Sequence, residues 1–116
     1  MKAKRARTYR TLDDVVAAHM RADPEFGLYH LAECAKDPEP RVFLRALKQV
    51  AEAQPGGLAA VARKAGVDRA GLHRSLAGPS VPNWNTITRV LRALNVDIVF
   101  QHGSSKKPEL RRRVQG

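Results

Sequence analysis

The side chains of this chain that could do chemistry gather in two short stretches. Asp68, His73 and Ser75 supply the residue types of a nucleophilic relay, and His30 with Cys34 stands at the i, i+4 spacing that lets two side chains share a metal. Neither pattern completes itself. Residues two apart on a helix point away from each other, so His73 cannot take a proton from Ser75. A structural zinc takes four ligands, and here His19 offers only a remote third. There is no glycine-rich phosphate loop after a strand, no second cysteine and no suggestive pair of carboxylates, which argues against catalysis, a cofactor or a metal. The remaining chemistry is recognition. Arg69, His73 and Arg74, beside the small Ala70 and Gly71, form a basic, low-bulk face suited to presenting guanidinium forks to guanine O6 and N7.

Such a face needs a helix, and a helix needs an anchor. Leu58, Val61, Ala62 and Ala65 follow the i, i+3, i+4, i+7 spacing of one apolar helical face, and Gly66 then ends that helix in the manner of a left-handed cap. Asp68 caps the next helix through its carboxylate, and Leu72 and Leu76 give it an inner edge. Two short helices joined by a tight turn, the second with its polar side outward, make a helix-turn-helix pattern over Leu58–Gly78.

The flanking chain reads as further helices. Thr11 caps a helix to about Ala22, Asp23-Pro24 starts a second, and the segment after Asp37-Pro38 carries Val42, Phe43, Ala46, Leu47, Val50 and Ala51 on one stripe to about Gln54. Pro55-Gly56-Gly57 leads into the motif. Beyond the loop at residues 78–82, Asn83 caps a helix with Trp84, Ile87, Val90 or Leu91, and Leu94 on one face, and Asn95 takes the left-handed position after it. Trp84 and Phe43 are expected in the core. Val96–Phe100 is β-branched and partly alternating, which predicts one short strand that must pair with a second copy or with a partner's sheet edge.

The net charge of +10 over 116 residues is unevenly spread. Residues 1–10 form a basic arm without an acid, and residues 101–116 form a second, with Lys106, Lys107 and Arg111 to Arg113 against Glu109. Thr11 to Gly56 has eight acids and five bases, whereas Gly57 to Phe100 has six bases and two acids. The motif half is therefore the cationic half, as a phosphate-binding surface should be. The acidic half, 11–56, is the candidate contact for another protein. A single cysteine, Cys34, excludes a disulfide scaffold and suits a reducing compartment, so the expectation is a soluble, cytoplasmic protein. No apolar run reaches the roughly 20 residues of a membrane span.

With these segments placed, the chain from about His30 through Phe100 resembles the addiction-module antidote proteins, the HigA-like Xre-type helix-turn-helix antitoxins. The resemblance rests on Leu31-Ala32, Asp37-Pro38, Phe43-Leu44-Arg45-Ala46-Leu47, Val50-Ala51-Glu52-Ala53, Leu58-Ala59, Ala62-Arg63, Gly66-Val67, Leu72-His73-Arg74-Ser75-Leu76, Pro82, Thr86-Ile87 and Val90-Leu91-Arg92-Ala93-Leu94. It implies an all-α, lambda-repressor-like domain of five to six helices, here with a short C-terminal strand. It further implies a homodimeric repressor of its own operon that neutralises a small ribonuclease toxin of the RelE/HigB kind, with double-stranded DNA and the toxin as partners. On the matching positions, Arg69, Ala70, Gly71, His73 and Arg74 fall on the recognition helix, and Gly57, Asn83, Trp84 and Asn85 at helix starts that meet phosphates. The chain departs from the pattern at Asp68, where serine or threonine is usual, at His73 for tyrosine, at Ser75 for alanine and at Asn95 for glycine.

Two further functional readings use the same residues. One is a stand-alone Xre-family transcriptional regulator. The other is a protein-interaction module in which the acidic half docks a toxin and DNA contact is incidental.

Overall fold

A computed structural model describes residues 11–103 of the chain, and both the N-terminal arm and the tail from residue 104 lie outside it. The described residues form six helices: α1 Leu12–Ala22, α2 Pro24–Cys34, α3 Pro40–Glu52, α4 Gly57–Ala65, α5 Arg69–Ala77 and α6 Trp84–Ala93. None is long and apolar enough to cross a membrane.

Local chemistry sets most of these boundaries. A helix leaves its first amides without partners, and a short polar side chain just before it can accept from one of them. Thr11 Oγ1 accepts from Asp14 N–H at 3.0 Å, Asp23 from Glu25 at 3.1 Å, Asp68 from Gly71 at 3.0 Å and Asn83 from Thr86 at 2.9 Å. Proline opens α2 and α3, where its missing N–H costs nothing. The helix expected from Pro38 begins two residues later, because Asp37 and Glu39 accept from the backbone N–H groups of Glu39 and Arg41 and hold the entry as a turn.

Helix α3 is the hub. Its stripe of Leu44, Ala46, Leu47, Val50 and Ala51 is buried, and α1, α2, α4 and α5 all pack on it. Leu47 and Leu72 have almost no exposure, and burying each contributes about 1.5–3 kcal/mol. Helix α6 packs on α4 through Val90 and Leu91.

Two expectations are corrected. Val96–Phe100 forms no strand: only Val96 is tied back, its N–H donating to Leu91 O at 2.9 Å, and no second strand exists among the described residues to complete a ladder. Trp84 is 62% exposed and not in the core. It is the first residue of α6, and burial on that helix begins with the half-buried Thr86 and Ile87 and becomes nearly complete at Val90 and Leu91. Phe43 is half-buried against the core.

Candidate nucleic-acid interface

The sequence 66–68 decides how α5 is presented. Gly66 adopts φ +78°, the left-handed conformation that L side chains resist, and Val67 N–H returns to Ala62 O at 3.0 Å, closing the end of α4. Only Val67 and Asp68 then separate that cap from α5, so the two helices stay in contact. Leu72 and Leu76 turn inward, at 1% and 4% exposure, and the opposite side of α5 faces out. Arg69, Ala70, His73 and Arg74 are exposed, while Gly71 and Ser75 are half-buried. Among the described residues the side chains of Arg69, His73 and Arg74 make no hydrogen bond or ion pair. Their polar groups are therefore held out to solvent by a buried leucine edge.

The C-terminal end of α5 has a brace that the sequence reading missed. Arg41, from the first turn of α3, donates through Nη1 to Gly78 O at 3.3 Å and through Nη2 to Pro79 O. A cation in the first turn of a helix opposes the helix dipole, and that unfavourable placement was the available signal that Arg41 serves another element. Gly78 is required there for a separate reason. Its N–H donates to Arg74 O at 2.8 Å, and a Cβ would lie 2.5 Å from that oxygen.

The other expected contacts lie on separate elements. Gly57, half-buried at φ +64°, donates its N–H to Gln54 O at 2.7 Å, and its neighbour Gly56 supplies no side-chain cap to α4. Asn83 is engaged as the cap of α6, Trp84 is exposed, and exposed Asn85 accepts through its carbonyl from Thr88 Oγ1 at 3.0 Å. No backbone contact joins α5 to α6, so the residues of α5 form one group and the start of α6 another.

The enzymatic and metal alternatives find no assembled site. Asp68 is spent on the Gly71 amide, His73 points to solvent, and no hydrogen bond links either to Ser75. His30 Nε2 meets Gln49 Oε1 at 2.8 Å, clamping α2 to α3, with Cys34 Sγ 3.9 Å from His30 Nδ1. Burial, followed by the carboxylates of Asp37 and Glu33, pushes the Cys34 thiol above its ordinary value. Among the described residues no three His, Cys, Asp or Glu side chains converge as metal ligands.

Among the described residues the molecule is thus all-helical, and α5 offers a basic face without side-chain ion pairs. Residues 12–102 match the model of a family described as probable addiction module antidote protein, and the chain belongs to that family. It is 33% identical over 94 residues to an uncharacterized protein of Haemophilus influenzae, covering 81% of this chain and 94% of that one. No solved structure matches at a significant level. Membership of an antidote family implies a toxin as partner.

Proposed function

We propose that the protein is the antitoxin of a bacterial type II toxin-antitoxin module. In this reading it is a cytoplasmic, non-enzymatic, HigA-like repressor that binds its own operon and neutralises a RelE/HigB-like ribonuclease. Helices α4 and α5 act as the helix-turn-helix of a lambda-repressor-like domain, with α5 in the major groove. Arg69 and Arg74 address base edges or phosphates, His73 donates to a base, and Gly57, Asn83, Trp84 and Asn85 lie along the sugar-phosphate backbone. Two copies place their α5 helices about 34 Å apart, so the operator is an inverted repeat.

One observation carries the reading: Arg69, His73 and Arg74 share the solvent side of a helix whose other side is buried, with no ion pair to an acid of the described chain. A helix serving only to pack would not need three basic side chains there. The test is fluorescence anisotropy with DNA from upstream of the protein's own reading frame. Arg74→Ala should cost about 1–3 kcal/mol, concentrated at one base pair. Unchanged affinity and unchanged sequence preference would refute the assignment of α5.

The acidic half supports toxin contact on a different surface. Glu25 and Glu33 of α2 are exposed, and a toxin that attacks RNA carries positive charge. Arg69→Ala with Arg74→Ala should leave co-purification with the adjacently encoded protein intact, whereas Glu25→Arg with Glu33→Arg should weaken it. The reverse pattern would place the toxin on α5, and no co-purification with the unaltered chain would favour the stand-alone regulator.

A further inference from the structure

The positive charge of the chain is missing from one surface. Between α2, the start of α3 and α6 runs an apolar groove of about 500 Å³, whose lining includes Leu28, Phe43, Trp84, Ile87, Ile98 and Val99. Helices α2 and α6 make no backbone contact with each other, which leaves the groove open, and the non-helical segment after α6 forms one wall. Leu28, Trp84, Ile98 and Val99 are four of the eight large apolar side chains exposed among the described residues, so this one place gathers half of them. Its charged lining residues, Asp37 and Asp97, are both acids. In a chain of net charge +10 such a surface exists because the cations of the surrounding elements face elsewhere. Lys36, just after α2, bonds Glu33 at 3.0 Å. Arg41, Arg45 and Lys48 of α3 line a separate cleft beside α1 and the end of α5, and Arg89 and Arg92 of α6 line another beside the end of α4.

We infer that this groove receives the toxin, through an apolar segment of that protein edged by lysine or arginine. The inference rests on the antitoxin reading above and gives toxin contact a location: α2 carries Leu28 into the groove and the exposed acids Glu25 and Glu33 beside it. Charge decides between occupants. A two-fold contact between two copies of the patch would bring one acid-only surface against another, and like charge disfavours it. The phosphates of a duplex would meet the same acids and leave the apolar lining uncovered. A basic protein meets neither objection. Among the described residues Asp97 has no side-chain partner, and the Asp37 carboxylate bonds only the Glu39 N–H, so neither acid is in an ion pair. Cations at the edge of the incoming segment would supply those pairs, while its apolar side chains take Leu28, Trp84 and Val99 out of water. An apolar centre with a charged rim is the arrangement that protein interfaces use.

The experiment is biolayer interferometry of the full chain against the purified protein encoded next to it. Leu28→Lys and Asp97→Lys/Val99→Lys alter opposite sides of the groove, and Val81→Lys, an exposed apolar residue off the groove, is the matched control. Each groove variant should weaken binding by at least ~30-fold, and the control should bind as the wild type does. Circular dichroism should be the same for all four proteins, since every altered side chain already meets water. Groove variants with unchanged affinity would overturn the inference and leave the antitoxin reading standing. A wild type that does not bind the neighbouring protein would remove both. Equal loss in Val81→Lys would show that added positive charge anywhere repels the toxin, and the groove would have no special part. Sedimentation of the unbound chains closes the last route: a wild-type dimer that Leu28→Lys dissociates would give the groove to a second copy and overturn the inference as well.

Discussion

Under the proposed DNA-binding role, Asp68 has two effects that oppose each other. Its carboxylate accepts from Gly71 N–H and stabilises the start of α5, yet it places a negative charge beside Arg69 where a phosphate would approach. Asp68→Ser keeps an acceptor and removes the charge, so the thermal midpoint should hold while DNA affinity at low salt rises. Asp68→Ala removes both, and chemical denaturation should show a loss of about 1 kcal/mol. Gly71 is tied to the same cap, because a Cβ there would lie 2.8 Å from Asp68 Oδ1. Cys34 offers a second residue-scale check. A thiol held above its ordinary value has less thiolate at neutral pH, so iodoacetamide should label native protein more slowly than denatured protein. Its labelling rate should also keep rising to higher pH than that of a free thiol. Equal rates in both states would show that burial and the Asp37 and Glu33 carboxylates do not act on it.

At the scale of elements, α5 is only nine residues long and could not persist alone in water. Three supports hold it: the Leu72 and Leu76 edge, the left-handed turn at Gly66 and the Arg41 brace at its far end. Leu72→Ala should unfold the whole domain more readily, by about 2–5 kcal/mol. Arg41→Met should act locally instead. Hydrogen exchange at Gly78 should accelerate and DNA affinity should fall, with the global midpoint nearly unchanged, since Arg41 is exposed and bonds only the Gly78 and Pro79 carbonyls just beyond α5. These supports differ in how legible they were. Thr11, Asp23, Asp68, Asn83, Gly66 and Asn95 act within a turn of their own position, so residue type and spacing sufficed to place them. The Arg41 brace joins residues 37 and 38 positions apart, and no local pattern reports a contact of that range. Val96–Phe100 has the composition of a strand, but a strand is a property of a pair, and one chain supplies no second member. Trp84 lies on the apolar stripe of α6 by spacing, yet whether that first turn is covered depends on how far α2 stands away.

Across the whole molecule, charge is divided as the fold is divided. The ion pairs at Glu33–Lys36, Glu39–Arg41 and Lys48–Glu52 all lie in the acidic half, so many of its charges are satisfied internally. In the other half Arg63, Lys64, Arg69, Arg74, Arg89 and Arg92 are exposed, and their side chains make no hydrogen bond or ion pair among the described residues. Pairing within the chain would lower the field of a surface; its absence on α4–α6 leaves a field that only an external anion can neutralise. DNA affinity should therefore fall steeply as salt rises, because each phosphate that an arginine replaces releases condensed cations, with a slope of about −0.9 per contact. Arg69→Gln should make that slope shallower by about 1 if Arg69 meets a phosphate. If it reads a base, affinity should fall at one position with the slope retained. Arg21→Gln, an equal loss of charge on exposed α1 in the acidic half, should change neither. If Arg21→Gln and Arg69→Gln shift the slope equally, net charge alone drives binding and α5 has no privileged place in it.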